Sequence, residues 1–440
     1  MNINELRESF RNAGCRSLFV KEMAPNDNSK NQIYLRGDFV ALNLLPFSAV
    51  ETDSSARAES VRDRLKARIR YRWLTGPDSL RNGNLILYPN YPEVRLSGIL
   101  GREKGHAPED QRRLINSREE GRLFFVGVTD TGSVVFHVAP GTGETADSFM
   151  MQRGNFEAAG LFSRIPLGIE RAGSYEILTS ALRDIVNRGW MPSVRLTKNG
   201  SLLPCVSSNC GGYTLEAALG IAANGFSEPD FHGWEVKQYG VGSLESRAAK
   251  VVTLMTPEPD GGYYKSEGVE AFIRKYGYAD KMGRANRMNF GGVHKAGKRT
   301  VLTGLTMKLD GYRSVGKWDA DGKVALYSAC GEVAASWSYA GLLIHWNRKH
   351  ARAAYVRSVS RTSKAGKQYR YSPRVSLGEI TDFSLFLSAF HENAIYYDPG
   401  IKLETRTNGR AFIKRRSQFR ISSNNLRKLY RSFNHVDLTA

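Results

Sequence analysis

The first 165 residues combine short runs of apolar residues with frequent Gly, Pro and Asn. Runs of this kind, bounded by turn-forming residues, are typical of short strands joined by loops. The pattern predicts strands at Gln32–Leu45, Leu85–Leu87, Leu123–Val128 and Val134–Val138, and a charged helix at Ser54–Arg72. We therefore expect an N-terminal accessory domain over residues 1–165, of mixed β-rich α+β type. Sensing of DNA or of a modified base is one interpretation of its role.

Apolar residues recur with a helical period after a Gly-containing turn near residue 170. Ile177, Leu178, Leu182 and Ile185 form one apolar face, which predicts a helix at Ser174–Arg188. In a second predicted helix, Leu215 and Leu219 share a buried side and leave Glu216 on another face. The later elements are predicted strands at Ser193–Leu203, Lys250–Thr256, Val301–Lys308, Lys323–Ala329 and Ala353–Val359, and a helix at Val333–Arg348. This alternation favours an α/β domain over residues 170–440, with a mixed central sheet flanked by helices.

Two acids and a lysine follow the second predicted helix, in the order Asp230, Glu235 and Lys237. Glu235 and Lys237 are two residues apart, so on a strand they share one face while Trp234 points the other way, into a core. Gly233 would allow a tight turn before that strand. Carboxylates are oxygen ligands suited to Mg²⁺, with Mn²⁺ as a substitute, and an ammonium helps to position an attacking water. The pattern predicts Asp230 and Glu235 as metal ligands and Lys237 as the catalytic cation.

A Glu-x-Lys pair alone is common on solvated strands and would not identify an enzyme. The longer segment from Gly212 to Lys237, however, resembles the MvaI/BcnI restriction endonuclease family. That family is similar to the repair nickase MutH within the PD-(D/E)xK nuclease superfamily. The resemblance is carried by GYTLE, EPD and GWEVK in this segment, and by LMTPEPDGGYY (254–264), FIRKYGY (272–278), RMNFGG (287–292), HWNRKHARAAYV (345–356) and FHENAIYYDPGIK (390–402). It covers about residues 170–440 and does not extend to the first part of the chain.

The resemblance implies a PD-(D/E)xK restriction-endonuclease-like core. It also implies a Mg²⁺-dependent, type II restriction-like endonuclease that hydrolyses phosphodiester bonds in double-stranded DNA, in host defence against foreign DNA. A strand-specific repair nickase is the alternative within enzymes, and a DNA-binding module with a vestigial nuclease fold is the alternative outside them. Members of the family suggest a monomer as the default, with a dimer as the other option.

The resemblance also suggests roles for further residues. Glu216 matches a supporting carboxylate of the family, which either binds a second metal or holds a metal-bound water. Lys349 is the candidate for an additional lysine of the MutH-like pattern, although a solvated cation at a helix end fits the sequence equally well. For His345 and His350, contacts with phosphate or bases are favoured over metal ligation, because no carboxylate accompanies them.

The net charge of +20 and a pI near 9.8 indicate a polyanionic partner. Residues 341–380 carry nine Lys or Arg against one acid. Within them, Ala353–Val375 predicts a basic β-hairpin whose Arg357, Arg361, Arg370 and Arg374 suit the major groove, although such a run is also typical of a solvated face. Near the C-terminus, the basic run Lys414, Arg415 and Arg416 is predicted to contact phosphates without sequence preference.

The four cysteines are too sparse to predict a disulfide framework, and Cys205 and Cys210 lack a second pair at zinc-ligand spacing. We interpret all four as ordinary thiols in a reducing compartment. The first twenty residues contain acids and no continuous apolar segment, which is not the pattern of a signal peptide. These features predict a soluble, cytoplasmic protein.

Overall fold

The computed structural model describes residues 1–25, 32–53, 64–100, 107–168, 173–222, 230–246, 248–347, 349–364, 366–406 and 409–439. The chain forms two compact units, Met1–Gly173 and Ser174–Ala440, which we describe separately. Both helices and strands are present in each unit, and the largest sheet of each unit combines parallel and antiparallel pairings. Among the helices in these ranges, none has both the length and the apolar character needed to cross a membrane.

The first unit is built around one large sheet. Its helices are α1 (Ile3–Asn12), α2 (Glu109–Asn116) and α3 (Glu144–Gln152), and its strands are β1 (Cys15–Glu22), β2 (Gln32–Arg36), β3 (Val50–Thr52), β4 (Leu65–Trp73), β5 (Arg81–Tyr88), β6 (Glu93–Ser97), β7 (Leu123–Thr129), β8 (Val134–Ala139), β9 (Glu157–Ala159) and β10 (Phe162–Ile165). The strand order is β2-β6-β5-β4-β8-β7-β1-β10-β9, and β3 pairs with β4. Apolar residues of α1 and α3 pack on the β1, β7 and β8 part of the sheet, around Phe10, Leu18 and Phe125.

Two predictions for this unit are wrong. The described part of the predicted helix Ser54–Arg72 is a strand, β4, because Leu65, Ala67, Ile69 and Tyr71 alternate with charged residues at a period of two. Residues 54–63 of that prediction lie outside the described residues. The predicted strand Gln32–Leu45 ends at Arg36, and a 3-10 helix at Phe39–Asn43 follows, with Asp38 accepting a hydrogen bond from the backbone of Val40 at its start.

The second unit contains six helices and seventeen strands within the described residues. The helices are α4 (Ser174–Asn187), α5 (Cys210–Ala218), α6 (Tyr263–Ser266), α7 (Gly268–Tyr276), α8 (Tyr339–Trp346) and α9 (Phe383–His391). The strands are β11 (Met191–Pro192), β12 (Val194–Leu196), β13 (Leu202–Pro204), β14 (Glu235–Gly240), β15 (Val251–Met255), β16 (Tyr278–Ala279), β17 (Arg287–Gly291), β18 (Thr306–Ser314), β19 (Lys317–Tyr327), β20 (Val333–Ser338), β21 (Arg352–Ser363), β22 (Gly366–Glu379), β23 (Ile395–Tyr397), β24 (Gly400–Thr405), β25 (Ala411–Lys414), β26 (Phe419–Ser422) and β27 (Ser432–Asp437).

The sheet that carries the acidic motif has the order β11-β22-β21-β14. Strand β27 also pairs with β22, along the edge that faces away from β21. The pairing of β14 with β21 is parallel, whereas β21 and β22 form a long antiparallel hairpin. Apolar residues of α4 and α5, including Leu182 and Leu215, pack against one face of this sheet around Trp234 and Val356. The opposite face is therefore the one that carries Glu235 and Lys237.

Four predictions for the second unit need correction. The predicted single strand Ser193–Leu203 is a hairpin of the two short strands β12 and β13. The predicted helix Val333–Arg348 begins as a strand, because Val333–Ser338 pairs with β19, and the helix starts only after the Ser338 side chain caps it. The predicted strand Val301–Lys308 is also displaced: Val301 is 95% exposed, and β18 begins at Thr306. Finally, Cys205 and Cys210 form a disulfide rather than two free thiols, since the end of β13 and the start of α5 bring their Cα atoms to 5.7 Å.

Candidate active site

A tight turn brings Asp230 and Glu235 to opposite sides of a short hairpin. Phe231 and Trp234 exchange two backbone hydrogen bonds of 2.9 and 2.8 Å, leaving His232 and Gly233 as the two turn residues. Both have positive φ, 45° and 85°, as a type I′ turn requires, and the glycine predicted at this turn meets that demand without steric cost. Beyond this pair, the Asp230 carboxylate accepts a hydrogen bond of 3.3 Å from the Val236 N–H and so links the two arms of the hairpin.

Glu235 lies at the start of β14 and is almost completely buried, at 3% exposure. Its Oε1 atom lies 2.9 Å from the Lys237 Nζ atom and 3.4 Å from the Lys349 Nζ atom. The other oxygen, Oε2, is buried and accepts no hydrogen bond from the described part of the chain. One edge of the carboxylate is thus neutralised by two ammonium groups, and the Asp230 carboxyl lies within hydrogen-bonding range of Glu235.

The electrostatics of the three carboxylates differ. Burial alone would raise the pKa of Glu235, but the charges of Lys237 and Lys349 outweigh it and hold that pKa at about 2. Burial and the adjacent negative charge of Glu235 raise the pKa of Asp230 to about 7. The pKa of Glu216 is raised for the same two reasons. Excess negative charge is therefore concentrated where Asp230 and Glu216 approach Glu235.

The helix α5 brings Glu216 into this group by packing very closely on β14. At Gly211, an added Cβ would lie 2.7 Å from the Gln238 side chain, so the glycine permits the contact. The Tyr371 hydroxyl donates a 2.7 Å hydrogen bond to the Gly211 carbonyl and fixes the helix to β22. Glu216, one turn further along, is partly buried and lies within electrostatic range of Glu235, Lys237 and Lys349.

Lys349 reaches the site because the segment after α8 is anchored in the core. Trp346 and His350 are both fully buried, and their rings stack with centroids 4.2 Å apart. The Trp346 indole donates a 3.1 Å hydrogen bond to the Thr381 hydroxyl. Between these two anchors, Lys349 points towards Glu235. Lys349 therefore lies beside Glu235 rather than in a solvated position at a helix end, and its role there stays a prediction.

The two histidines of this segment differ. His350 is fully buried, and its Nδ1 and Nε2 atoms lie 3.1 and 3.2 Å from the carbonyl oxygens of Trp346 and Leu254. The predicted contact of His350 with DNA is therefore wrong, since the ring has no open surface. His345, in the last turn of α8, is exposed. Partial desolvation of its ring and the positive charge of Lys349 lower the pKa of His345.

The predicted basic hairpin is present as β21 and β22. Lys237 pairs with Tyr355 across the parallel strands, so Arg357 and Arg361 extend the same face of β21. Arg370 lies on that face as well, opposite Val359. Arg361 and Arg370 are exposed, whereas Arg357 is half-buried and donates to the Tyr239 hydroxyl and the Ser246 carbonyl.

Arg374 and the C-terminal basic run are exposed. Arg374 lies in the second half of β22, within 3.9 Å of Glu245 and 3.8 Å of Asp437. Lys414, Arg415 and Arg416 are consecutive exposed residues at and after the end of β25. The next basic residue, Arg420, points inwards and pairs with Asp398 at 2.5 Å. The exposed cations are thus in position to meet a polyanion.

The buried pair Tyr355 and Tyr430 was not singled out from the sequence. Their hydroxyl groups lie 2.8 Å apart, and Tyr355 is the strand partner of Lys237. The available signal was positional, because Tyr355 lies two residues before Arg357 on the same predicted strand. As the register partner of Lys237, Tyr355 lies on the face of the sheet that carries Glu235 and Lys237.

The model of one protein family matches residues 179–430 of this chain, which contain the carboxylates, both lysines and the basic hairpin. That family is the MvaI/BcnI restriction endonuclease family. The chain belongs to it. Membership makes the protein a DNA-cleaving hydrolase of the restriction endonuclease type.

Two solved structures are similar to part of the chain. One is the restriction endonuclease MvaI in a complex with its cognate DNA substrate, at 18% identity and a TM-score of 0.46. The other is MvaI in the absence of DNA, at 17% identity and a TM-score of 0.35. Each match covers 60% of this chain and 98% of the other. No curated protein sequence gives a significant match.

Proposed function

We propose that this family member is a Mg²⁺-dependent endonuclease that hydrolyses phosphodiester bonds in double-stranded DNA, with a PD-(D/E)xK site formed by Asp230, Glu235 and Lys237. The observation that carries the proposal is the difference between the environments of the two carboxylate oxygens of Glu235. Its Oε1 atom is held by two lysines, while Oε2 is buried without a hydrogen bond from the described residues. A buried carboxylate oxygen in that state is unfavourable unless a cation completes it.

The residues present fit a magnesium ion. Asp230 and Glu235 would hold it, and Glu216 would act either on a second ion or through a metal-bound water. The described residues contain no group of three His, Cys, Asp or Glu side chains arranged around a common metal position. Magnesium commonly takes one or two protein carboxylates and completes its shell with water and substrate phosphate. When bound, it would stabilise charge on the scissile phosphate as a Lewis acid.

The lysines act on the nucleophile and on the developing charge. Lys237 is 14% exposed, so its ammonium is largely desolvated and interacts strongly with charge that develops nearby. From this position it would orient the attacking water and offset the additional negative charge of the transition state. Lys349 shares Glu235 with Lys237, so it fixes the carboxylate and adds positive charge on the same side. The exposed arginines of the hairpin would contact the groove or backbone of the DNA.

The experiment that tests the proposal is cleavage of plasmid DNA by Asp230→Asn and Glu235→Gln variants. Each substitution preserves side-chain size and removes one charge, so we expect DNA binding to survive and cleavage to fall below detection. Glu267→Gln, an exposed carboxylate of the same unit, is the matched control and should cut at the wild-type rate. Chelation of the metal should stop cleavage by the wild-type protein.

The form of the product separates the alternatives. Linear plasmid with defined ends supports a restriction-like endonuclease, whereas accumulation of open circles supports a strand-specific nickase. If the Asp230→Asn variant cuts at a rate close to wild type, the assignment of the site is wrong. If the wild-type protein binds DNA but never cuts it, over a range of modified and unmodified substrates and with Mg²⁺ or Mn²⁺, the site is vestigial.

A further inference from the structure

A row of basic side chains lies along one face of β4 in the first unit. The strand alternates strictly, with Leu65, Ala67, Ile69, Tyr71 and Trp73 all at 2% exposure or less. The intervening residues Lys66, Arg68 and Arg70 therefore point to the opposite face, where Arg68 and Arg70 are exposed. Alternate residues on a strand are about 7 Å apart, so the three cations form an evenly spaced line.

The strand register extends this surface across the neighbouring strands. Arg68 pairs with Asn84 and Arg70 with Asn82 on β5, and both asparagines share the face of the arginines. On β6, Arg95 lies opposite Ile86 of β5, which in turn pairs with Lys66. We call Lys66, Arg68, Arg70, Asn82, Asn84 and Arg95 the basic sheet face. On β2, the register partner of Arg95 is Tyr34, which is 40% exposed.

The ion pairs on this surface differ in exposure, and the pair of Arg68 is of a kind that a polyanion displaces. Arg68 lies 3.2 Å from Glu51, with both side chains more than half exposed, and Lys66 lies 3.0 Å from Asp53. The exposed Arg68–Glu51 pair contributes little to stability, so exchanging that carboxylate for a phosphate costs little. Asp53 is buried and is also paired with Arg64, so the exposed Arg68 and Arg70 are the cations most readily offered to a polyanion. Arg70 donates a hydrogen bond of 3.5 Å to the carbonyl oxygen of Thr131. Because a carbonyl group is neutral, this contact does not compensate the positive charge of Arg70.

The charge is concentrated locally rather than spread over the unit. The first 173 residues contain 24 Lys or Arg against 21 Asp or Glu, so this unit is almost neutral although the whole chain carries +20. A nearly neutral unit with a line of cations on one sheet face points to a localised anionic partner. Arginine and asparagine side chains are common donors to phosphate oxygens, and so are tyrosine hydroxyl groups such as that of the exposed Tyr34.

We propose that the basic sheet face binds the sugar-phosphate backbone of duplex DNA without reading its sequence. This gives the protein a DNA contact in the first unit, in addition to the residues of the second unit. The choice of DNA as the polyanion rests on the proposed function, whereas the presence of an anion-binding surface rests on the geometry of β4, β5 and β6. An acidic protein is the other class of partner, and the experiment below separates the two.

The test uses the full chain carrying Glu235→Gln, so that binding is measured without cleavage. The perturbation is the triple variant Lys66→Gln, Arg68→Gln and Arg70→Gln. The matched control is Arg113→Gln, Arg118→Gln and Arg153→Gln, which removes the same charge from exposed positions of the same unit away from this face. Fluorescence anisotropy gives the dissociation constant for two duplexes of unrelated sequence at salt concentrations from about 50 to 300 mM.

The expected result is a weaker affinity of the triple variant for both duplexes, by about tenfold or more at the lowest salt concentration. Each phosphate contact contributes about 0.9 to the slope of log K against log salt, so the slope should fall by about 2 to 3. The control should keep its slope, and the ratio of affinities for the two duplexes should not change in either variant. A charge-conserving variant, Arg68→Lys with Arg70→Lys, should retain most of the affinity.

A slope that is unchanged in the triple variant overturns the proposal and points to a partner other than DNA. An equal loss in the control overturns it too, because the effect would then be one of bulk charge. If the triple variant does not fold, by circular dichroism, the single variant Arg70→Gln replaces it, with an expected fall in slope of about 1. Cleavage is not part of the readout, so a protein that fails to cut DNA can still support this proposal.

Discussion

The two lysines on Glu235 allow a quantitative prediction about their separate roles. Lys237 lies 2.9 Å and Lys349 3.4 Å from the same oxygen, with side-chain exposures of 14% and 29%. At an effective dielectric constant of about 20, unit charges at these distances attract by about 6 and 5 kcal/mol before desolvation and solvent screening are subtracted. By distance alone, the two lysines attract the Glu235 carboxylate with similar energies. Because Lys349 is more exposed to solvent, its attraction is screened more and is the weaker of the two.

We expect Lys237→Met to lower the single-turnover cleavage rate by about 10²- to 10³-fold, which is the usual effect of removing one preorganised charge from a transition state. For Lys349→Met we expect about 10- to 100-fold, because more of its charge is screened by solvent. Lys349→Met should also reach half its maximal rate at a lower Mg²⁺ concentration. The substitution removes a positive charge that would repel a Mg²⁺ ion at Glu235, while the proposed metal ligand itself stays in place, so the affinity for Mg²⁺ should increase.

The assay is single-turnover cleavage of a labelled duplex, with Mg²⁺ titrated at saturating protein and DNA binding measured separately in Ca²⁺. The double variant should lose less than the product of the two single effects, because both lysines act on the same carboxylate. Lys295→Met, at a partly exposed lysine in the loop after β17, serves as the control. The reasoning fails if Lys349→Met matches the control in both rate and Mg²⁺ dependence, or if the loss in Lys237→Met is fully explained by weaker DNA binding.

Four further outcomes are expected. Replacing Arg361 or Arg370 of the hairpin with Gln should relax the preference at one base pair and cost about 1–3 kcal/mol, whereas an equal loss on every duplex would show a phosphate contact. Replacing Lys414, Arg415 and Arg416 together should weaken binding to all sequences and reduce its salt dependence, and a change in sequence preference would contradict this role. Thiol titration of the denatured chain should detect two thiols before reduction and four after it, since Cys205 and Cys210 are paired, and four from the start would contradict the disulfide. Burial lowers the pKa of His294 to about 4, so between about pH 6.5 and 4 the unfolded form binds a proton and the folded form does not. The free energy of unfolding should therefore decrease as the pH is lowered through that window, by up to about 1.4 kcal/mol per pH unit. In urea unfolding, His294→Asn should reduce this pH dependence, whereas His391→Asn, at an exposed histidine, should not.

The parts of the site that could be predicted are those encoded locally. The turn at His232 and Gly233 and the strand that begins at Glu235 are specified by about six adjacent residues. Their geometry follows from turn chemistry and strand alternation, so the spacing of Asp230, Glu235 and Lys237 was sufficient to predict that they meet. The helix Ser174–Asn187 was likewise predicted to within one residue of its end, because its apolar face has an uninterrupted helical period.

Predictions failed where neighbouring elements determine the local conformation. The segment Val333–Ser338 is short and contains alanine and serine, so a helix is compatible with it, but pairing with β19 makes it a strand. In Leu65–Trp73, the dense charges suggested a solvated helix and concealed the period of two. The disulfide between Cys205 and Cys210 depends on how the hairpin of β12 and β13 meets α5, and a spacing of five residues alone does not indicate that approach.

Lys349 shows how local and long-range information combine in this site. Its position in the sequence, more than one hundred residues after Glu235, gave two equally acceptable interpretations. The structure distinguishes them through residues that carry no charge: Trp346 is held by Thr381, and His350 is held between two carbonyl oxygens in the core. These anchors orient the intervening lysine towards Glu235 and fill the Oε1 side of the carboxylate. The packing of this segment therefore places Lys349 on the same oxygen of Glu235 as Lys237, and a substitution in that packing should alter the Mg²⁺ dependence of cleavage before it alters DNA binding.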